Sequence, residues 1–159
     1  MNFLEQLVAE WYVYRGYFVL TNVKHGKRKK GGWEGEIDVL AFEAKKPECV
    51  HVETSMDADS WAERKRRFRR KFETAGTHYA KLFPCPAPQV RQIAVVGFTQ
   101  PKDRPDFGEG IEVRFVPELI AEICADLKEK HPMTEAVPEG FPLLRAMQFA
   151  VHYGSARKA

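Results

Sequence analysis

Cysteine is scarce in this 159-residue chain: Cys49, Cys85 and Cys124 are odd in number and far apart. With no Cys-x-x-Cys or Cys/His ligand spacing, they argue against a disulfide framework and a structural zinc. No apolar run approaches the ~18 residues of a membrane span. The opening "MNFLEQLVAEWYVY" lacks a basic segment followed by an uninterrupted apolar stretch, so a cytoplasmic location is the expectation. Five scattered histidines offer no Ser/His/Asp or Cys/His arrangement. "GKRKKGGW" lacks the spacing of a phosphate-binding P-loop. Neither an internal repeat nor a low-complexity linker is visible, and the length suits one domain.

What is present is charge, unevenly placed. The net value is only +3, yet residues 24–30 ("KHGKRKK") and 64–71 ("RKRRFRRK") hold twelve of the 25 Lys and Arg, leaving the rest of the molecule near −9. Such clusters suit a phosphate-bearing partner, because they release counterions from nucleic acid. They also suit a solvated helix face and a floppy loop.

Hydrophobic periodicity predicts a helix over 2–15, with Gly16 as its stop, and strands over 17–23, 36–42 and 49–55. A basic loop, 24–35, separates the first two strands. A long helix is expected from Asp57 or Asp59 to Leu82, its stripe formed by Trp61, Phe68, Phe72, Ala75, Tyr79 and Leu82. "PCPAP" ends it. The apolar run 91–99 reads as a central strand and 111–116 as another. Helices follow over 117–130, with Pro117 at the first position, and 141–153, before a disordered-looking "GSARKA". The order predicts an α/β fold: a mixed central β-sheet flanked by helices. Within one domain, 1–98 forms a core, 99–116 adds a strand, and 117–159 is a helical extension able to cap the sheet or make a dimer.

Two strands spoil their apolar character with acid. "GEIDVLAF" carries Glu36 and Asp38 on one strand face; "VHVETS" carries Glu53 on the face of His51 and Ser55. Paired across a ladder, Asp38 and Glu53 repel and need compensation. A divalent cation with hard oxygen ligands would supply it. So would one acid in solvent and the other on an arginine of the 64–71 helix.

These motifs resemble the PD-(D/E)XK, or restriction-endonuclease-like, nuclease superfamily, and within it the small Holliday-junction-resolvase-type members, over roughly residues 3–98. The resemblance maps a helix glutamate eleven residues before a Gly-aromatic pair to Glu5, the metal-binding aspartate to Asp38 with Glu36 as its acidic neighbour, and the second carboxylate to Glu53. It implies a Mg²⁺-dependent (or Mn²⁺-dependent) DNA endonuclease, with Glu5, Asp38 and Glu53 as metal ligands and duplex or branched DNA as substrate. Ser55, however, stands where the family has lysine. Either the site is dead, leaving a nucleic-acid-binding or interaction module of a DNA-processing assembly, or another cation serves. Lys65 is the expected substitute, being nearer the helix start and the stripe than Lys71, although it could equally snorkel from a buried face. The expected nucleic-acid contacts are Lys24, Lys27, Arg28, Lys29, Lys30, Trp33, Arg64, Arg66, Arg67 and Arg70, with Trp33 alternatively a hydrophobic lid.

Overall fold

The computed structural model describes residues 2–43, 45, 48–83, 89–97 and 105–154. Helix α1 spans Phe3–Tyr14. Its N-cap, Asn2, accepts from the amides of Leu4 (2.9 Å) and Glu5 (3.0 Å), and the Glu5 carboxylate in turn accepts from the Asn2 amide at 3.0 Å. Five strands follow the predicted order: β1 (Phe18–Lys27), β2 (Trp33–Glu43), β3 (Glu48–Ser55), β4 (Val90–Val96) and β5 (Ile111–Phe115). They form one sheet in sequence order. The β1–β2 and β2–β3 pairs are antiparallel; β3–β4 and β4–β5 are parallel. The fold is therefore the expected mixed sheet with helices on its faces.

Strand alternation divides the core. On one face, Val39, Ala41, Val50, Val52, Ile93 and Val95 meet Leu4, Leu7, Val8 and Trp11 of α1. Helices α4 (Val116–Lys128) and α5 (Pro142–Tyr153) join the same cluster through Leu119, Ile123, Leu127 and Leu144. The C-terminal helices thus cap the sheet. Buried Glu10 of α1 secures α5 by accepting from the amides of Leu143 (2.9 Å) and Leu144 (3.1 Å), groups left without an intrahelical partner at a helix start. On the other face, Phe68 and Phe72 pack on Ala94, Val96, Val113 and Phe115. Each such fully buried aromatic contributes roughly 1.5–3 kcal/mol through burial alone.

Four expectations are corrected. The long helix is two, α2 (Trp61–Gly76) and α3 (Tyr79–Leu82), interrupted at Thr77 and His78. Its N-cap is Ser60 rather than Asp57 or Asp59, because those two acids are held by arginines while the Ser60 hydroxyl accepts from the Glu63 amide at 3.3 Å. The basic loop 24–35 is largely strand: β1 and β2 continue to a Lys27–Trp33 pair, leaving only 28–32 as the turn. The first helical residue of α4 is Val116, one before Pro117. Pro47, Cys85 with the "PCPAP" stop, the 98–99 strand end and the 155–159 tail lie outside the described residues. Ser60→Ala is expected to cost ~1 kcal/mol, read as a lower urea midpoint at unchanged slope.

Candidate active site

One step beyond the Val39–Val52 pair, the β2–β3 register sets Asp38 opposite Glu53. Both face α2. Asp38 is fixed from β3, since its Oδ2 accepts from the Thr54 amide (2.7 Å) and hydroxyl (3.2 Å). Glu53 has no exposed surface and Asp38 is 8 % exposed. The Lys71 ammonium lies between them, donating to Asp38 Oδ1 at 3.1 Å and to Glu53 Oε2. Two carboxylates that would repel at this separation are thus held by one shared cation.

Behind Glu53 stands a second set of groups, joined end to end. Gln92 Nε2 of β4 donates to Tyr79 Oη at 2.9 Å. That hydroxyl lies 2.6 Å from His51 Nδ1, and His51 Nε2 lies 2.7 Å from Glu53 Oε1, so the neutral ring donates through one nitrogen and accepts at the other. Both ring nitrogens of His51 are satisfied, as burial requires. Burial first, and the Lys71 charge second, hold the His51 pKa down at about 3. Burial and then Asp38 push Glu53 well above the usual carboxylate range, with Lys71 opposing them. For Lys71, burial acts downward but the Glu53 and Asp38 charges outweigh it, and its pKa is raised.

The lysine at the carboxylates is therefore Lys71, not Lys65. The residues after β3 do not enter helix at once; α2 begins at Trp61 and folds back along the sheet. Its first turns consequently lie over the end of β3. One helical turn (~5.4 Å) then keeps pace with two strand residues (~6.6 Å): Arg67 reaches Ser55, and Lys71 reaches Glu53. Lys65 is turned toward Asp106, 3.9 Å away.

Ser55, at the motif-lysine position, receives Arg67 Nη2 at 2.9 Å and donates to Asp57. Arg67 also pairs with Asp57 and, at 2.6 Å, with Asp59. Arg64 is 5 % exposed and bonds Asp57 Oδ1 through Nε at 3.1 Å. These two arginines, expected on nucleic acid, instead hold the turn into α2; their positive charge is neutralised by acids the sequence places seven to ten residues earlier. Arg66 and Arg70 are exposed, Arg66 pairing with Glu63 at 2.5 Å. On β2, Glu36 accepts from Asn22 Nδ2 at 3.1 Å.

Glu5 is not brought to the pair. Its helix packs on the opposite sheet face, and its carboxylate caps Asn2. Among the described residues, no three His, Cys, Asp or Glu side chains form a metal-holding group. Asp38 Oδ1 and Glu53 Oε2 nonetheless converge on a single positive centre, and both are hard oxygen donors suited to a divalent ion that retains waters. The two residues fit such an ion as a pair. Sequence reasoning missed Tyr79 and Gln92: Tyr79 looked like part of an apolar stripe, and the helix break that aims it at His51 has no strong sequence signal.

No helix is long and apolar enough to cross a membrane among the described residues. No family model matches the chain, and neither does any curated relative. It is similar in structure to a chain titled "Crystal Structure of Protein of Unknown Function AF1548", with a TM-score of 0.53 and 15 % identity over 96 % of this chain and 98 % of that one. That likeness establishes the shared fold.

Proposed function

We propose that the protein is a divalent-metal-dependent DNA endonuclease of the PD-(D/E)XK type, whose motif lysine is supplied by α2 as Lys71. The observation that carries the reading is the convergence of Asp38, Glu53 and Lys71, three groups separated by up to 33 positions in sequence. Asp38 and Glu53 are the residues that would hold the metal. When bound, a divalent ion supplies Lewis acidity toward a phosphoryl oxygen and lowers the pKa of a water.

The chain's own residues do the rest. Thr54 fixes Asp38, and His51 fixes Glu53, so neither carboxylate can swing away. Lys71, a third exposed, presents an ammonium at the mouth of the site, where it can meet charge developing on a phosphate. Ser55 carries no charge, and Arg67 above it is occupied by two aspartates. Lys71 is thus the cation in place to replace the missing lysine. Mg²⁺ or Mn²⁺ is the expected ion and duplex or branched DNA the expected substrate, consistent with the exposed bases of α2 and the β1–β2 ribbon.

Nicking of supercoiled plasmid under Mg²⁺ or Mn²⁺ tests this. It is expected to fall at least ~10²-fold in Asp38→Asn and in Glu53→Gln, isosteric changes that keep the packing. Salt-sensitive DNA binding without any nicking under either metal would sink the enzyme reading and leave a nucleic-acid-binding module with the same fold.

A further inference from the structure

The β1–β2 hairpin outruns the rest of the sheet. Its β2–β3 pairing ends at Val39, whereas β1–β2 pairing continues to Lys27 and Trp33. By that register Glu53, Thr54 and Ser55 of β3 still run level with Asp38, Ile37 and Glu36, so Trp33 to Gly35 of β2, their β1 partners and then the turn extend past the end of β3. At ~3.3 Å per residue the Trp33 end lies ~10 Å past Glu36. Gly31 and Gly32, at φ 91° and 81°, close the tip in a conformation other residues rarely adopt. Lys24, Lys27, Arg28, Lys29 and Lys30 are all exposed.

The ribbon's pose is fixed from below. His25 of β1 is 4 % exposed, and its ring fills the space where a side chain at Gly35 would be: a Cβ there would lie 2.6 Å from Nε2. The ring also packs on His78 beyond α2, 5.1 Å between centroids, and His78 Nε2 is 2.9 Å from Glu34 Oε2 of β2. Helix α2 thus carries exposed Arg66 and Arg70 past Lys71, and the chain just beyond it meets the ribbon's base at His78.

We propose that the free end of this ribbon enters the major groove of duplex DNA lying along α2. The inference rests on the nuclease reading only in taking DNA as the ligand. Its width argues for this groove: the major groove of B-DNA, ~12 Å wide, admits a two-stranded ribbon, and the ~6 Å minor groove does not. A-form RNA closes its major groove to such an element. A single strand offers no groove, and is held on rows of aromatic side chains. The ribbon end carries one exposed aromatic, Trp33, amid five bases.

The test is fluorescence anisotropy with a 30-base-pair DNA duplex in EDTA, where no cleavage is read. The triple variant Arg28→Ala, Lys29→Ala, Lys30→Ala is expected to bind at least tenfold more weakly. Its salt dependence should be shallower by about 2–3 in log K against log [salt], near 0.9 for each phosphate no longer neutralised. Circular dichroism confirms its fold, and Arg28→Glu provides a second, single-site variant with the same direction of effect. DNA glucosylated at hydroxymethylcytosine, which fills the major groove, is expected to bind the wild-type chain worse; distamycin in the minor groove is not expected to compete. Wild-type affinity in the triple variant, equal binding of single-stranded DNA, or competition by distamycin alone would overturn the proposal. Absence of plasmid nicking alongside the expected binding results would count against the nuclease reading and leave this one standing.

Discussion

Lys71→Ala is expected to lower metal-dependent nicking by ~10²–10³-fold, the loss typical of removing one charged group aimed at a transition state. Lys65→Ala should stay within about twofold. The contrast follows from position: the Lys71 ammonium bonds both Asp38 and Glu53, whereas Lys65 lies 3.9 Å from exposed Asp106. Lys71→Arg is a sharper probe. It keeps the charge but substitutes a planar fork for a point charge and cannot give up its proton near neutral pH. Partial nicking by Lys71→Arg would assign the lysine an electrostatic role; none would require the ammonium's size or its proton. Comparable losses in Lys65→Ala and Lys71→Ala would remove Lys71 from its proposed place. Single-turnover rates at saturating metal make the comparison clean, because Lys71→Ala also changes the charge felt by a cation at the carboxylates.

His51→Ala is expected to destabilise the fold by about 3–5 kcal/mol at pH 7, the cost of a large cavity with unpaired buried polar groups around it. It opens a cavity beside Phe72, and it leaves Tyr79 Oη and Glu53 Oε1 without their shared partner, with His51 and Glu53 both lacking exposed surface. Urea denaturation reads the loss as a lower midpoint. His51→Gln, which retains a donor, should lose less.

The pH dependence of that loss has a definite sign. The His51 pKa is depressed to about 3 in the folded chain, so its contribution is present above ~6.5 and is lost as pH falls toward 3. Glu53 acts oppositely: its pKa is raised, so its contribution is full below the ordinary glutamate value and is lost as pH rises through the folded one. In the wild-type chain the two slopes oppose each other between ~4.5 and ~6.5; above that only Glu53 contributes. The wild-type-minus-His51→Gln difference isolates the histidine. That gap is expected to narrow by up to ~1.4 kcal/mol per pH unit between 6.5 and 3. A gap independent of pH would mean that His51 is charged in the fold.

The sequence alone determined the order of the strands, the two acidic strands and the strand faces on which Asp38 and Glu53 lie. These are local properties: alternation and hydrophobic period depend on neighbours a few residues apart. It also marked the 24–30 bases as a cluster suited to a phosphate-bearing partner or to a solvated loop, and the structure leaves them exposed on a ribbon.

The tertiary structure decided which cation serves the carboxylates. A helical wheel ranks Lys65 and Lys71 by angle, but the choice depends on where α2 begins and which way it crosses the sheet. Five residues between Ser55 and Trp61, pinned by Arg64 and Arg67, set both. The same crossing decided that Arg64 and Arg67 serve the turn, that Glu5 stays with Asn2 on the far face, and that Tyr79, beyond a helix break, completes the support of His51 and Glu53. Periodicity gives the direction of a side chain from its own element. Contact between side chains 12 to 33 positions apart is set only once the elements pack against one another.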